Sequence, residues 1–253
     1  MKKMFFASAL LLMTALNADA QFGKLLKKVE KAATTVANSA AGDIAADLAL
    51  NTLSDNIVAY MDKNNTVLAE DSPYTTRLAA LVQPNYTNVD GLGIYYKVYE
   101  NPEVNILACA DGCIRVYTGL MDAFNDDELL AIIATQIGHI ANKDARNALL
   151  KVTKKDNASK AAYAQLDKTL SGEGLATIVN ELLQVPYTNE QNIAADKFAV
   201  ALLQKNGAGT NGLVSALDKL SKLEALETED GTSITSKFLK VNSNNATRLS
   251  LLK

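Results

Sequence analysis

The chain has 253 residues, 48% of them hydrophobic, with 25 basic and 28 acidic residues and a formal net charge of −3. That length fits one domain with small additions, and the apolar content is enough to bury a sizeable core. The sequence has no tryptophan, only 6% aromatic residues and no basic block, which argues against a nucleic-acid partner.

The first twenty residues are typical of a secretory signal peptide. Two lysines precede an apolar run over residues 5–16, and residues 18–20 form a small-residue cleavage site. Because the apolar run is too short to span a bilayer, we favour cleavage over an uncleaved membrane anchor. We therefore expect a mature protein that begins at Gln21 and resides in the periplasm or outside the cell.

A helical segment is predicted to follow the signal peptide. Residues 22–61 are rich in alanine and carry apolar residues at helical spacing, with lysines along the other face. We interpret the lysines as the solvated face of a packing helix rather than as a membrane-surface helix. The expected organisation is a signal peptide over residues 1–20, a helical N-terminal segment over 21–70 and one domain over 71–253.

A short helix and a small sheet are predicted at the start of that domain. Ser72 followed by Pro73 is typical of a capped helix start, and the helical pattern continues to about Val82. Three segments rich in strand formers come next, and the last two flank a turn. They predict a small antiparallel sheet in an α+β, mostly α fold. The three segments are residues 94–99, 105–108 and 114–117.

Cys109 and Cys113 are the only cysteines, and they flank Asp111-Gly112, a pair typical of a hairpin turn. Export would place the cysteines in an oxidising compartment, where a cross-strand disulfide persists. The register of the hairpin decides between a bridge and two free thiols, and the sequence does not fix that register. The two alternatives are therefore both open, and we treat the pair as a candidate disulfide.

The most apolar helix is predicted to begin at Asn125 or Asp126, with acidic residues in its first turn. It contains Thr135-Gln136-Ile137-Gly138-His139, which includes the only histidine of the chain. Residues 151–174 are polar with little apolar periodicity, which indicates a mobile or weakly packed insertion. Two more helices are predicted before a polar tail, over residues 190–206, which Gly207 ends, and over residues 211–223.

The order of these segments resembles the HtpX-like and BepA-like zinc metallopeptidases of peptidase family M48. Residues 105–120 are similar to that family's N-A-x-A…V-x-T-G-L segment, and residues 128–140 to its E-L…H-E-x-G-H segment. Residues 192–196 fall at the family's E-x-x-A-D, and residues 237–248 resemble its F-L-x-T-H-P…R ending. The resemblance spans residues 75–253. It implies a zincin-like fold of the gluzincin type, with a small sheet beside the motif helix and zinc as the family cofactor.

The chain departs from the family pattern where the chemistry takes place. By that pattern Thr135 replaces the first zinc-binding imidazole, Gln136 the general base and Asn192 the carboxylate ligand, while His139 and the supporting Asp196 remain. A peptidase zinc needs three protein ligands, and its water needs a base. We therefore expect no catalytic residue and no bound cofactor, with His139 as the one residue left to bind a metal. The polar set predicts a neutral hydrogen-bond network in which Asp196 orients His139.

These substitutions predict a pseudopeptidase that binds a peptide or protein partner in the former substrate cleft. Strand addition along the sheet edge near Asn105 is the expected mode, since such clefts bind substrate in that way. Two alternatives are open. One is an active zinc metalloendopeptidase with unusual ligands, and the other is an exported helical domain whose role lies in the N-terminal segment.

Overall fold

The structure is a computed structural model, and it describes residues 40–153, 172–226 and 235–252. The predicted signal peptide and residues 21–39 of the helical segment lie outside the described residues. Residues 154–171, most of the predicted insertion, also lie outside them. Within the described ranges, no helix has the length and apolar character that crossing a membrane requires.

Helices make up most of the described chain, and short strands interrupt them between residues 88 and 117. In chain order the elements are α1 (Ala40–Asn64), α2 (Pro73–Val82), β1 (Asn88–Val89), β2 (Leu92–Gly93), β3 (Tyr95–Tyr99), β4 (Ile106–Ala108), β5 (Cys113–Tyr117), α3 (Thr118–Ala123), α4 (Asp126–Ala141), α5 (Asp144–Thr153), α6 (Gly172–Leu182), α7 (Asn189–Lys205), α8 (Asn211–Leu226), α9 (Ser236–Val241) and α10 (Asn245–Ser250).

Two helix starts predicted from the sequence are confirmed. The Ser72 side chain accepts a hydrogen bond from the backbone N–H of Thr75, and Pro73 is the first residue of α2. Asn125 caps α4 through a capping box, in which its side chain accepts from the N–H of Glu128 and the Glu128 carboxylate accepts from the N–H of Asn125. The caps satisfy backbone donors that the first helical turn leaves unpaired.

The three-stranded sheet is mixed, which corrects the predicted antiparallel sheet. β4 and β5 form the expected antiparallel hairpin, with Leu107 opposite Arg115. β3 pairs with β5 in parallel, with Tyr99 opposite Tyr117, and the strand order is β3-β5-β4. The chain reverses direction between β3 and β4 and again between β4 and β5. β5, which lies between the other two strands, therefore runs parallel to β3 and antiparallel to β4. β4 is consequently an edge strand, and it lies against α4.

Helix α4 forms the centre of the main hydrophobic core. Its residues from Glu128 to Ile140 are buried with the exception of Leu130, and it packs against α7 on one side and α8 on another. Gly138 permits the close approach of α7, because a Cβ atom there would lie 2.7 Å from the carbonyl oxygen of Ala195. The motif residues on α4 (Thr135, Gln136 and His139) and those on α7 (Asn192 and Asp196) are therefore held by two closely packed helices.

Helix α1 packs onto the predicted domain and does not stand apart from it. Its buried residues, which include Leu53 and Ile57, share a second hydrophobic cluster with residues of β3, β5, α5 and α6. Asp62 accepts hydrogen bonds from Arg115 at 2.8 Å, Lys97 at 2.8 Å and Tyr99 at 2.7 Å. Burial by itself raises the pKa of Asp62, but these three hydrogen bonds lower the pKa to about 2.

Both cysteines are free thiols, so the candidate disulfide is not formed in the structure. The backbone N–H of Cys109 donates to the carbonyl of Cys113 at 2.9 Å, as expected for residues on either side of the turn. The thiol of Cys113 donates to the Asp111 carboxylate at 3.1 Å. Burial, reinforced by Asp111, raises the pKa of Cys113 to about 12 and also raises the pKa of Cys109. Because the thiolate is the reactive form, both side chains are kept in a form that oxidises slowly.

Candidate functional site

Thr135 on α4 and Asp196 on α7 meet at the interface of the two helices. The Thr135 hydroxyl lies 3.2 Å from Oδ1 of Asp196 and 3.2 Å from the carbonyl oxygen of Ala131, and both of these oxygens are acceptors. Arg248 on α10 forms a bidentate ion pair with the same carboxylate, through Nε at 2.7 Å and Nη2 at 2.7 Å. Asp196 is therefore occupied by Thr135 and Arg248, and all three side chains are buried.

Gln136 points toward the segment that follows α9. Its amide nitrogen donates to Oδ1 of Asn242 at 3.4 Å, and Asn242 in turn donates to the carbonyl of Phe238 at 3.2 Å. By the family pattern a tail histidine falls at Val241 or Asn242, so the hydrogen bond connects Gln136 to the segment in which that histidine would lie. An amide has no basic site near neutral pH, so Gln136 cannot accept a proton from water.

Asp144 orients His139, which corrects the expectation that Asp196 does so. Nδ1 of His139 lies 2.9 Å from Oδ2 of Asp144. The chain leaves α4 through Lys143, which has a φ of 62°, and this left-handed residue brings the start of α5 back toward the imidazole. Gln191 donates to the other carboxylate oxygen of Asp144 at 2.8 Å. Asp196 cannot take this role because Thr135 and Arg248 already occupy it.

The tautomer of His139 follows from these contacts. Because a carboxylate accepts hydrogen bonds, the ring proton resides on Nδ1 and the lone pair on Nε2. Burial lowers the pKa of His139, and the opposing effect of Asp144 does not reverse that shift. The imidazole is consequently neutral near pH 7, with an acceptor at Nε2.

Tyr187 covers one face of the His139 ring. The ring centroids lie 3.8 Å apart and the planes are inclined by 13°, which is a stacked arrangement. Tyr187 precedes α7 and is tied to α9, since its N–H donates to the carbonyl of Val241 at 3.1 Å. Tyr187 also lines a groove beside β4.

Buried polar atoms of His139 on α4 and Asn192 on α7 have no hydrogen-bond partner among the described residues. They are Nε2 of His139 and the two terminal atoms, Oδ1 and Nδ2, of the Asn192 side chain. His139 and Asn192 are both 0% exposed. Buried polar groups are nearly always paired, so these atoms have unmet hydrogen-bonding capacity, and they belong to two positions at which the family pattern places zinc ligands.

A groove runs beside the edge strand β4. The carbonyl of Asn105 accepts from the N–H of Tyr117 at 3.2 Å, and the N–H of Cys109 donates across the same ladder. By the alternation of an antiparallel ladder, the backbone groups of Ile106 and Ala108 point away from β5. Asn105 itself accepts from the N–H of Ile106 at 2.9 Å. Among the described residues, those that line the groove are all uncharged: Asn105, Ile106, Leu107, Ala108, Gln136, Ala145, Ala148, Leu182, Leu183, Val185, Tyr187 and Val241.

The residues present do not fit the zinc that the resemblance implies. Nε2 of His139 has the lone pair and the orientation of a ligand, but Thr135 and Asn192 offer neutral oxygens that bind zinc weakly. In the described ranges, no group of three or more histidine, cysteine, aspartate or glutamate side chains is placed to hold a metal ion. The two nearby carboxylates, Asp144 and Asp196, are engaged by His139 and Arg248 instead.

The domain is mostly helical α+β, with a central helix beside an edge strand, and its family follows from comparison with known proteins. The sequence model described as "Peptidase family M48" matches residues 86–250, and the chain belongs to that family. The fold class and the family resemblance expected from the sequence are thereby confirmed. Zinc is the cofactor on which this family depends.

Relatives with metalloprotease names support the assignment. Metalloprotease LoiP of Escherichia coli is 34% identical over 181 residues, which cover 70% of this chain and 71% of LoiP. Metalloprotease YcaL of the same organism is 32% identical over 177 residues, 68% of each protein. Mitochondrial metalloendopeptidase OMA1 of Arabidopsis thaliana is 28% identical over 142 residues, 54% of this chain and 28% of OMA1.

Sequence reasoning missed three residues of the site: Asp144, Tyr187 and Gln191. Asp144 carried a signal, because an acidic residue in the turn after the motif helix, five residues beyond His139, can fold back to reach the imidazole. Gln191 forms the capping box of α7 with Thr188, a pattern that can be recognised in the sequence, whereas its contact with Asp144 cannot. Nothing in the sequence indicates that Tyr187 stacks on His139.

Proposed function

We propose that this member of peptidase family M48 is a pseudopeptidase that binds an extended peptide without hydrolysing it. The observation that carries the proposal is the hydrogen bonding of Thr135 and Gln136, the residues at the positions of the first ligand and the base. Thr135 hydrogen-bonds to Asp196 and Gln136 to Asn242, so both side chains have partners within the protein, and neither a hydroxyl nor an amide supplies a strong zinc ligand or a general base. We propose accordingly that the protein functions without a bound zinc.

The edge strand β4 supports the binding half of the proposal. The carbonyl of Ile106 and both backbone groups of Ala108 point away from β5, whereas the N–H of Ile106 donates to the Asn105 side chain. A peptide can add to such an edge as a further strand. The side chains around that edge carry no charge, so burial of a charged side chain there would cost free energy without a compensating partner. The expected partner is therefore an extended segment with uncharged, aliphatic side chains.

Location and domain organisation belong to the same proposal. A peptide-binding protein of the periplasm or the exterior agrees with the signal-like residues 1–20, and the helical segment 21–70 would then begin the mature chain. Because α1 shares a hydrophobic cluster with β3, β5, α5 and α6, the part of that segment from Ala40 onward would act as a support of the domain.

An active zinc metalloendopeptidase with unusual ligands is the second candidate. The metalloprotease names of LoiP and YcaL favour it, since these proteins match about two thirds of the chain. The two candidates differ in metal content. We expect mature protein purified without chelators to contain no stoichiometric zinc and to leave casein uncleaved. One zinc per chain together with chelator-sensitive cleavage would establish the second candidate and contradict the first.

Peptide binding is tested with a fluorescein-labelled, alternating valine-serine peptide. Two isomers carry N-methyl groups on alternate residues, one in each register. A strand added to β4 directs every second N–H at β4. Only the isomer whose N-methyl groups replace those N–H groups should therefore lose binding. Equal binding of both isomers would contradict strand addition.

A pair of matched variants locates the binding. Leu183→Lys places a charge in the groove, whereas Leu226→Lys makes the same change at a side chain that is 77% exposed. We expect Leu183→Lys to weaken binding of the valine-serine peptide by about tenfold or more, since the ammonium would have to be desolvated. Leu226→Lys should bind as the parent does. Equal binding by both variants would place the peptide elsewhere.

A further inference from the structure

The unpaired atoms of His139 and Asn192 have a defined hydrogen-bond character. Nε2 of His139 is an acceptor, because the contact with Asp144 holds the ring proton on Nδ1. The Asn192 amide adds one further acceptor at Oδ1 and donors at Nδ2, and none of these atoms has a partner among the described residues. A ligand that satisfies the cluster must therefore donate two hydrogen bonds and accept at least one.

Helix geometry places the two side chains next to each other. Thr135 on α4 contacts Asp196 on α7, and Gly138 approaches Ala195. His139 follows Thr135 by one turn, and Asn192 precedes Asp196 by one turn, so two antiparallel helices bring them together one turn along the same interface.

The charges around the cluster favour a neutral ligand over an ion. Neither nearby carboxylate is free to neutralise a cation, because Asp144 is engaged by His139 and Gln191, and Asp196 by Arg248. An anion would meet two acceptor atoms. A neutral ligand therefore fits the cluster best.

We propose that the former metal centre is a water site, in which one buried water molecule donates to Nε2 of His139 and to Oδ1 of Asn192 and accepts from Nδ2 of Asn192. A water molecule is small enough for a buried site and has both donors and acceptors, and waters with about three hydrogen bonds are common in protein interiors. The site takes neither zinc nor another transition metal.

Tyr187 separates this water site from the peptide groove. One face of its ring is stacked on His139, and the residue also lines the groove. Only 9% of the Tyr187 surface is exposed, and its ring forms the wall between the water site and the groove. This part of the proposal goes beyond peptide binding and does not depend on it, since a closed water site would exist in a domain with any function.

Two measurements on the full mature protein test the proposal. A high-resolution crystal structure should show one isolated density peak within hydrogen-bond distance of His139 and Asn192, with no anomalous scattering of a metal. In Asn192→Leu the peak should be lost, because two of its three hydrogen bonds are removed. A metal peak, no peak in the parent, or a peak that persists in Asn192→Leu would overturn the water site.

Diethylpyrocarbonate tests the wall, because His139 is the only histidine and its acylation reports access to Nε2 without ambiguity. We expect the folded parent to react about tenfold or more slowly than the urea-unfolded chain, since reaction then requires local opening. Tyr187→Phe keeps the stacked ring and should stay protected, whereas Tyr187→Ala should react faster. If the parent reacts as fast as the unfolded chain, or if Tyr187→Ala stays protected while folded by circular dichroism, the wall is not Tyr187.

Discussion

Arg248 forms a bidentate ion pair with Asp196, with both nitrogen-to-oxygen distances at 2.7 Å and both side chains almost fully buried. The pair joins α10 near the C-terminus to α7 and fixes the carboxylate that accepts from Thr135. A buried charge without its partner is costly, since neither water nor another side chain compensates it. The ion pair thus stabilises the arrangement in which Asp196 is turned away from His139.

Removal of Arg248 should therefore destabilise the protein strongly. We expect Arg248→Met to lower the free energy of unfolding by about 3–5 kcal/mol, because it leaves Asp196 buried and unpaired. The matched control is Lys222→Met, which breaks an exposed pair with Asp218 within α8 and should cost about 0.3–0.5 kcal/mol. Urea denaturation followed by circular dichroism measures both. Similar losses in the two variants would contradict the burial argument.

Gly138 should tolerate no larger side chain. A Cβ atom there would lie 2.7 Å from the carbonyl oxygen and 2.9 Å from the Cα atom of Ala195, so α7 would have to move. We expect Gly138→Ala to destabilise by about 1–3 kcal/mol, although alanine favours helices. Gly209→Ala is the control, because nothing lies within 4 Å of its added Cβ. If thermal unfolding shows Gly138→Ala to be as stable as the control, the helices are farther apart than described.

Asp62 should contribute stability that depends on pH. Its pKa in the folded protein is about 2, below the ordinary value of 3.8, so the unfolded chain binds the proton more tightly. The contribution is fully present above pH 3.8 and is lost as the pH falls through about 2. We expect Asp62→Asn to be less stable than the parent at pH 7, with the difference shrinking in acid. Asp126→Asn, at a carboxylate whose side chain is 63% exposed, should show a much smaller change. A difference for Asp62→Asn that stays constant with pH would refute the assignment.

The sequence was sufficient for those features that depend on neighbours in the chain. Ser72 and Asn125 cap helices as predicted, and Gly207, with a φ of 73°, follows α7 as predicted. Asp111-Gly112 forms the turn between β4 and β5. Each of these depends on hydrogen bonds or backbone angles within a few residues, which residue type controls directly.

Features that depend on distant contacts were not predictable. The parallel pairing of β3 with β5 depends on which strand inserts in the sheet, and no local pattern states that order. Helices α9 and α10 are six residues each in a tail that looks polar, and such short helices form only through tertiary packing. The assignment of Asp196 to His139 failed because Arg248, 52 residues farther along, occupies that carboxylate.

The metal-binding ancestry of the site can be tested by rebuilding it. Thr135 and His139 lie one turn apart on the same face of α4, and Asn192 faces the same interface from α7. The triple variant Thr135→His, Gln136→Glu and Asn192→Glu restores two imidazoles, a carboxylate ligand and a base. Asp196, which accepts from Thr135 at 3.2 Å, is placed to orient the new imidazole as Asp144 orients the old one.

We expect the triple variant to bind zinc at least about tenfold more tightly than the parent, since two first ligands are restored with their outer partners in place. Isothermal titration calorimetry measures the affinity, and hydrolysis is not required of the variant, since it also needs a precisely positioned substrate and supporting residues. The control is the same triple variant with His139→Ala, which should lose the gain because one of three ligands is removed. If the triple variant folds and binds zinc no better than the parent, Asn192 does not face His139, and the correspondence between this interface and the family's metal site is wrong.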